Sequence, residues 1–170
     1  VVHDDVRAEG HVATDGGGRA EHEAWSSKFG HGRYPSDAVP SPDLRPLRGA
    51  VIGLGMIGRH HARLLQTSPR VEFAGAVDPA GDRFGVVNDP DRIFASVDEL
   101  LHRGSPEFAI VAVPTDAHLD AVRALAPRGA HLLIEKPLAA TTAEAKEIID
   151  VIARAGVRAG VGHVERFNPA

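Results

Sequence analysis

Gly53-Leu54-Gly55-Met56-Ile57-Gly58 is the stretch on which the reading of this chain turns. The spacing G-x-G-x-x-G means little alone, and its context gives it weight. Ala50 to Leu54 reads as a short apolar strand running into it. Met56 to Gln66 reads as a helix leaving it, with Ile57, Leu64 and Leu65 at helical spacing. Gly53 permits the tight turn between them. Gly55 lets the backbone approach a pyrophosphate where any Cβ would collide, and Gly58 lets the helix press on the sheet. The free N–H groups of the turn and helix start, with Met56 and Ile57 between the glycines, then face the phosphates at the positive end of the helix.

A second strand, Val71 to Val77, ends at Asp78, 20 residues beyond Gly58. A carboxylate at that place accepts hydrogen bonds from both ribose hydroxyls of an adenosine and repels a 2′-phosphate. NAD is therefore the expected cofactor, and Arg83, close by in sequence, keeps NADP as the alternative. The competing structural role for Asp78 is that of a turn or cap residue.

Outward from this unit, strands and helices alternate. Pro79 to Arg92 holds two glycines and Asn88-Asp89-Pro90, so the helix that belongs there is expected to be short or broken. Ser96 caps a helix from Val97 to His102, with Glu99 at its third position. Phe108 to Val113 is a wholly apolar strand. Asp116 to Ala126 is a helix with Leu119, Val122 and Leu125 on one face. His131 to Ile134 is a strand, and Thr141 with Glu144 makes a capping box for a helix to Arg154, with Ala145, Ile148, Ile149 and Ile152 inward. Val157 to Val161 is the last strand. Continuous apolar strands alternating with helices predict an α/β fold, a Rossmann-type doubly wound parallel sheet, over residues 48–162.

Residues 1–47 differ in kind, with glycine, proline, histidine and charge dominant, as in Gly16-Gly17-Gly18 and Pro40-Ser41-Pro42. Such a stretch buries too little apolar surface to offset its ordering entropy, so a disordered extension is expected, with a short helix near Glu21 to Phe29 at most. The 170 residues include no cysteine, which excludes disulfides, thiolate metal sites and thiol catalysis. A net charge of -4 gives no basic field for nucleic acid or anionic membrane. No apolar run approaches the roughly 20 residues of a membrane span, and the N-terminus does not read as a signal peptide, so cytoplasm is the expected place. The histidines are scattered without an i, i+4 pair, and no metal site is expected.

Val113-Pro114-Thr115 closes the strand that begins at Phe108 and His118 follows near a helix start; Glu135-Lys136-Pro137 closes the next strand. Ligands in open parallel sheets sit at those carboxyl ends, so both segments point to the crevice of the glycine turn. Here the sequence resembles the glucose–fructose oxidoreductase, inositol dehydrogenase and rhizopine-catabolism (Gfo/Idh/MocA) oxidoreductases. The matching residues are Gly53, Gly55 and Gly58 with His61, then Asp78, then Val113-Pro114-Thr115 with His118, then Glu135-Lys136-Pro137. Gly162 to Pro169 looks in addition like members acting on nucleotide sugars.

The resemblance implies a cofactor domain followed by a larger substrate domain, with residues 163–170 as the start of the link. It implies hydride transfer between nicotinamide and a carbon bearing a hydroxyl on a sugar, cyclitol or nucleotide sugar, in a protein that is a homo-oligomer at full length. It assigns Lys136 to catalysis and to the cofactor, Glu135 to the nicotinamide-side ribose, and Val113, Pro114, Thr115 and His118 to the cofactor crevice. Arg166 and Asn168 are candidates to touch cofactor or substrate. The substrate domain should begin where this chain stops, so the 170 residues alone are expected to bind NAD weakly and turn over nothing. Two other readings compete: a truncated module that senses NAD without chemistry, and a methyltransferase using S-adenosylmethionine, which Glu135-Lys136-Pro137 disfavours.

Overall fold

The computed structural model describes residues 45–164. The expected helix near Glu21 to Phe29 and the link residues Glu165, Arg166 and Asn168 lie outside the described residues. The elements are β1 (Leu47–Ile52), α1 (Gly58–Thr67), β2 (Val71–Val77), β3 (Ile93–Phe94), α2 (Val97–Arg103), β4 (Phe108–Val111), α3 (His118–Leu125), β5 (His131–Ile134), α4 (Thr142–Ala155) and β6 (Ala159–Val161). All six strands pair in parallel in the order β3-β2-β1-β4-β5-β6. This is the Rossmann order, and the direction of winding reverses between β1 and β4.

Both faces of the sheet are covered, as continuous apolar strands require. On β1, Ala50 and Ile52 face one layer, where Leu100, Val122, Leu125 and Ile148 of α2, α3 and α4 meet them. Val51 faces the other way, with Leu54, Ala62, Ala76 and Ile110, beneath α1. Local signals agree with this packing at two helix starts. The Ser96 hydroxyl accepts from the Glu99 N–H at 3.2 Å, and Thr141 with Glu144 forms a complete capping box.

The structure departs from the sequence expectations at several ends. The first strand begins at Leu47, inside the stretch expected to be disordered, because Leu47 N–H donates to Arg70 O at 3.0 Å and Glu107 grips Arg45 and Arg48. Met56 and Ile57 belong to the turn, so α1 starts only at Gly58. Of the three apolar side chains read at helical spacing, only Leu65 packs on the core; Ile57 and Leu64 are exposed, Leu64 at 65%. On α4 the inward positions are Ile148, Val151 and Ile152, and Ile149 is exposed. A 3-10 turn over Thr115–Ala117 delays α3 to His118.

Between Pro79 and Asp89 there is no helix at all. Gln66 replaces its packing with hydrogen bonds: its Nε2 donates to Val86 O at 2.9 Å and its Oε1 accepts from Asn88 N–H at 2.8 Å. Asp82 closes the loop by accepting from the N–H groups of Phe84 and Val87. Val86 and Val87 are thereby buried beneath α1. No helix among the described residues is long and apolar enough to cross a membrane.

Glu107 anchors the far end of the sheet. Its two carboxylate oxygens take the Arg45 guanidinium at 2.6 and 2.7 Å, and one of them also takes the Arg48 N–H at 3.0 Å. These hydrogen bonds, Arg45 first and then the Arg48 backbone, lower its carboxyl from 4.5 to about 2. A depressed folded-state value stabilises above the unfolded value and loses that contribution as pH falls toward the folded one. Glu107→Gln is therefore expected to flatten the acid limb of stability between pH 4.5 and about 2, read by urea unfolding at stepped pH. Acid limbs that superimpose would rule out the anchor.

Candidate active site

The glycine turn is fixed by steric contact before any ligand arrives. Gly53 has φ +95°, where L side chains are strained, and a Cβ there would lie 2.7 Å from Ala112 O. A Cβ on Gly58 would lie 1.8 Å from Gly53 O and 3.3 Å from the Ala112 Cβ. Gly58 thus lets α1 close on its own turn as well as on the end of β4. Gly55 is different: a Cβ there meets nothing within 4 Å. The described residues do not themselves require glycine at 55, and the space beside it is open.

Asp78 ties this turn to the end of β2. Its Oδ2 accepts from the Leu54 N–H at 2.9 Å and its Oδ1 from the Ala80 N–H at 2.9 Å. Each oxygen retains a second lone pair for a further donor. The turn role and the ribose role considered for this residue are compatible on geometry.

Two concavities flank the strand ends and meet at Val113. One, about 360 Å³, is lined mostly by apolar groups, among them Ile52, Val77, Pro79 and Ala121. The other, about 610 Å³, is lined by Gly55, Met56, Ile57, Pro114, Glu135 and Lys136, with Leu64 and Val164 at its edge. A dinucleotide needs this form, an apolar slot for the base on one side of the glycine turn and a wider bay on the other. The side chains of Ile57 and Leu64 also line this bay.

Glu135 sits at the floor of the bay. Its carboxylate is paired with the His61 Nε2 at 3.0 Å, and the two side chains are 13% and 21% exposed. Gly162 makes room for it, since a Cβ at 162 would stand 3.2 Å from the carboxylate atoms. The sequence reading placed both residues near the crevice without pairing them. The signal was the position of His61, three residues after Gly58 and so on the helix face that meets the sheet. Lys136 is exposed beside it, and the Lys136–Pro137 peptide bond is cis.

His118 does not face the crevice, contrary to expectation. It is 1% exposed, with Nδ1 3.1 Å from Leu138 O and Nε2 3.1 Å from Val113 O. Each ring nitrogen faces a backbone carbonyl, to one of which the ring donates in either neutral tautomer, and the buried ring does not open onto the crevice. The ring joins the ends of β4 and β5 from beneath. Thr115 opens the 3-10 turn behind Val113 and Pro114. No group of three or more metal-binding side chains occurs among the described residues.

A glycine turn opening a helix, an acid at the end of β2 and a two-part crevice at the switch between β1 and β4 define a dinucleotide-binding domain. Residues 47–163 match the model of the oxidoreductase family with NAD-binding Rossmann fold, and the chain belongs to this Gfo/Idh/MocA family. It is 31% identical over 123 residues to the rhizopine catabolism protein MocA of Rhizobium meliloti, covering 72% of this chain and 39% of that protein. It is 31% identical over 128 residues to scyllo-inositol 2-dehydrogenase (NAD(+)) of Bacillus subtilis, covering 73% and 37%. Among solved structures, UDP-N-acetylglucosamine 3-dehydrogenase GnnA from Acidithiobacillus ferrooxidans superposes with TM-score 0.64 at 31% identity, over 75% of this chain and 42% of that one. GenD2 from gentamicin A biosynthesis, in complex with NAD, superposes with TM-score 0.60 at 29% identity, over 72% and 36%. The chain therefore spans about two fifths of the length of these relatives. Membership of the family removes the methyltransferase reading.

The two glycines separate folding from binding. Gly58→Ala is expected to cost at least ~3 kcal/mol, since the obstructing atom is backbone. Gly55→Ala is expected to unfold within ~1 kcal/mol of the parent while losing ~10-fold or more in NAD affinity. Thermal unfolding and calorimetry read the two effects, and a Gly55→Ala chain that binds NAD normally would contradict the assignment of that space.

Proposed function

We propose that this chain is the cofactor-holding part of an NAD-dependent dehydrogenase that acts on a hydroxyl-bearing carbon of a sugar, cyclitol or nucleotide sugar. The observation that carries the reading is the open space at Gly55, set between an apolar slot at Pro79 and a bay walled by Glu135 and Lys136. In this reading the adenine lies in the slot and its ribose hydroxyls donate to the free lone pairs of Asp78. The pyrophosphate rests on the turn N–H groups of Gly55, Met56, Ile57 and Gly58. Val113 and Pro114 bound the crevice where its halves join. Glu135, held by His61, accepts from the nicotinamide-side ribose.

When bound, the nicotinamide supplies a hydride acceptor at C4. The chain's own contribution at the reacting end is Lys136. Loss of hydride from an alcohol carbon requires loss of the hydroxyl proton, and a cationic or basic group at that oxygen lowers the barrier. Lys136 stands at the exposed mouth of the bay, where a substrate oxygen arrives from solvent or from a covering domain. The substrate class comes from the relatives, whose names include inositol and UDP-N-acetylglucosamine dehydrogenases. We further propose that the cofactor domain runs over residues 48–162, extended by Leu47 of β1, and that the full-length assembly is a homo-oligomer.

Calorimetric titration of the 170-residue chain with NAD tests the reading. NAD is expected to bind, and Asp78→Ala to weaken it by ~10-fold or more. Asp78→Asn, which retains a carbonyl acceptor for the Leu54 N–H, checks that the loss is not merely of the turn: it should fold like the parent and still bind more weakly. A folded chain that binds no nicotinamide dinucleotide would sink the proposal.

A further inference from the structure

Over the loop that follows Asp78 lies a cation with no acidic partner among the described residues. Arg59 is the second residue of α1, and its N–H donates to Gly55 O at 3.2 Å, which fixes it on the glycine turn. Its guanidinium lies over the Phe84 ring, 4.5 Å from the centroid. Phe84 belongs to the loop that follows Asp78. That loop is tied back by Gly81 N–H to Asp78 O at 2.9 Å and by Phe84 N–H to Asp82 Oδ1 at 3.2 Å. Arg59 and Asp78 thus flank the same loop, one from the helix and one from the strand.

The Arg59 Nε is buried and has no hydrogen-bond partner. It is the sole buried side-chain polar atom in that condition among the described residues. A buried donor without an acceptor is costly, and on a guanidinium the acceptor that best offsets the cost is an oxyanion. The Phe84 face accounts for the position of the cation and supplies no acceptor for Nε. If the adenosine ribose lies at Asp78, the anion nearest this cation is a phosphate on its 2′-oxygen. Arginine suits that group better than lysine, because its planar fork meets phosphate oxygens two at a time.

We propose that Arg59 is a second determinant of cofactor choice, pairing with the 2′-phosphate of NADP(H), so that this crevice takes NADP(H) as well as NAD(H). The proposal rests on the dinucleotide reading above. Asp78 does not forbid it, because both of its oxygens already accept a backbone N–H, which takes up part of its charge. Arg83, the arginine that the sequence pointed to, is exposed and unconnected to this pairing.

The test is calorimetry on the 170-residue chain with four ligands: ADP, adenosine 2′,5′-bisphosphate, NAD and NADP. The variants are Arg59→Met, which keeps a stem over Phe84 and deletes the charge, and Arg83→Met. The parent is expected to bind NADP within ~10-fold of NAD. Arg59→Met is expected to weaken NADP and the bisphosphate by ~10-fold or more and to leave NAD and ADP within ~2-fold. Arg59→Lys, with charge but no Nε–H, should lose part of the same preference, and it serves if the methionine variant does not fold. The assignment falls if the parent binds NAD and ADP but neither 2′-phosphorylated ligand. It also falls if the preference survives at position 59 or is lost with Arg83→Met instead. A folded parent that binds none of the four would overturn the dinucleotide reading itself.

Discussion

One steric contact sets the rest of this structure in place. The carbonyl oxygen of Gly53 occupies the volume that any side chain at Gly58 would need. Because residue 58 has no Cβ, α1 can begin directly over its own turn and lie close against the ends of β1 and β4. That closeness sets the start of the helix over the strand ends, with the Arg59 and His60 N–H groups turned back onto the Gly55 and Ile57 carbonyls. It also brings Leu54 N–H within reach of Asp78, so the turn is locked to β2 by a charge-assisted hydrogen bond. The crevice is a by-product of packing, and the residues that would hold a cofactor are mostly those already needed to close the turn.

The other half of the site is held by a different device. His118 lies beneath the strand ends and spans two backbone carbonyls, one after β4 and one after the Lys136–Pro137 turn. Glu135 is held from the opposite side by His61 of α1. Two histidines therefore join segments far apart in sequence, and neither stands free in the bay as a catalytic group. Next to the held carboxylate, Lys136 is exposed.

Much of this was legible in the sequence because several signals are local. A capping box, a glycine turn and a four-residue apolar strand are each decided by neighbours in the chain, and Thr141 with Glu144, Gly53 with Gly58, and His131 to Ile134 were read correctly for that reason. The errors share one cause. Ile57, Leu64 and Ile149 fall at helical spacing with core residues, and periodicity reports that a face is apolar without saying what covers it. Two of them line the bay rather than the core. The buried His118 was misplaced because a histidine near a helix start reads the same whether its ring turns inward or outward. β3 went unread because two residues carry no period. The missing helix after β2 was anticipated from its glycines and proline, yet the Gln66 bonds that replace it depend on contacts 20 and 22 residues away.

The strand order carries a consequence for how the chain is made. β1 lies at the centre of the sheet, yet among the described strands it is the first to be synthesised. One of its edges pairs with β2 soon afterwards, but the other waits until β4 has been synthesised, with a loop, two short elements and α2 in between. During that interval Val51 and Ile52 present an unpaired apolar edge to the cell. Parallel pairing across such sequence distances is slow to form. A pause in synthesis placed before β4 would leave that edge unpaired for longer than one placed after it.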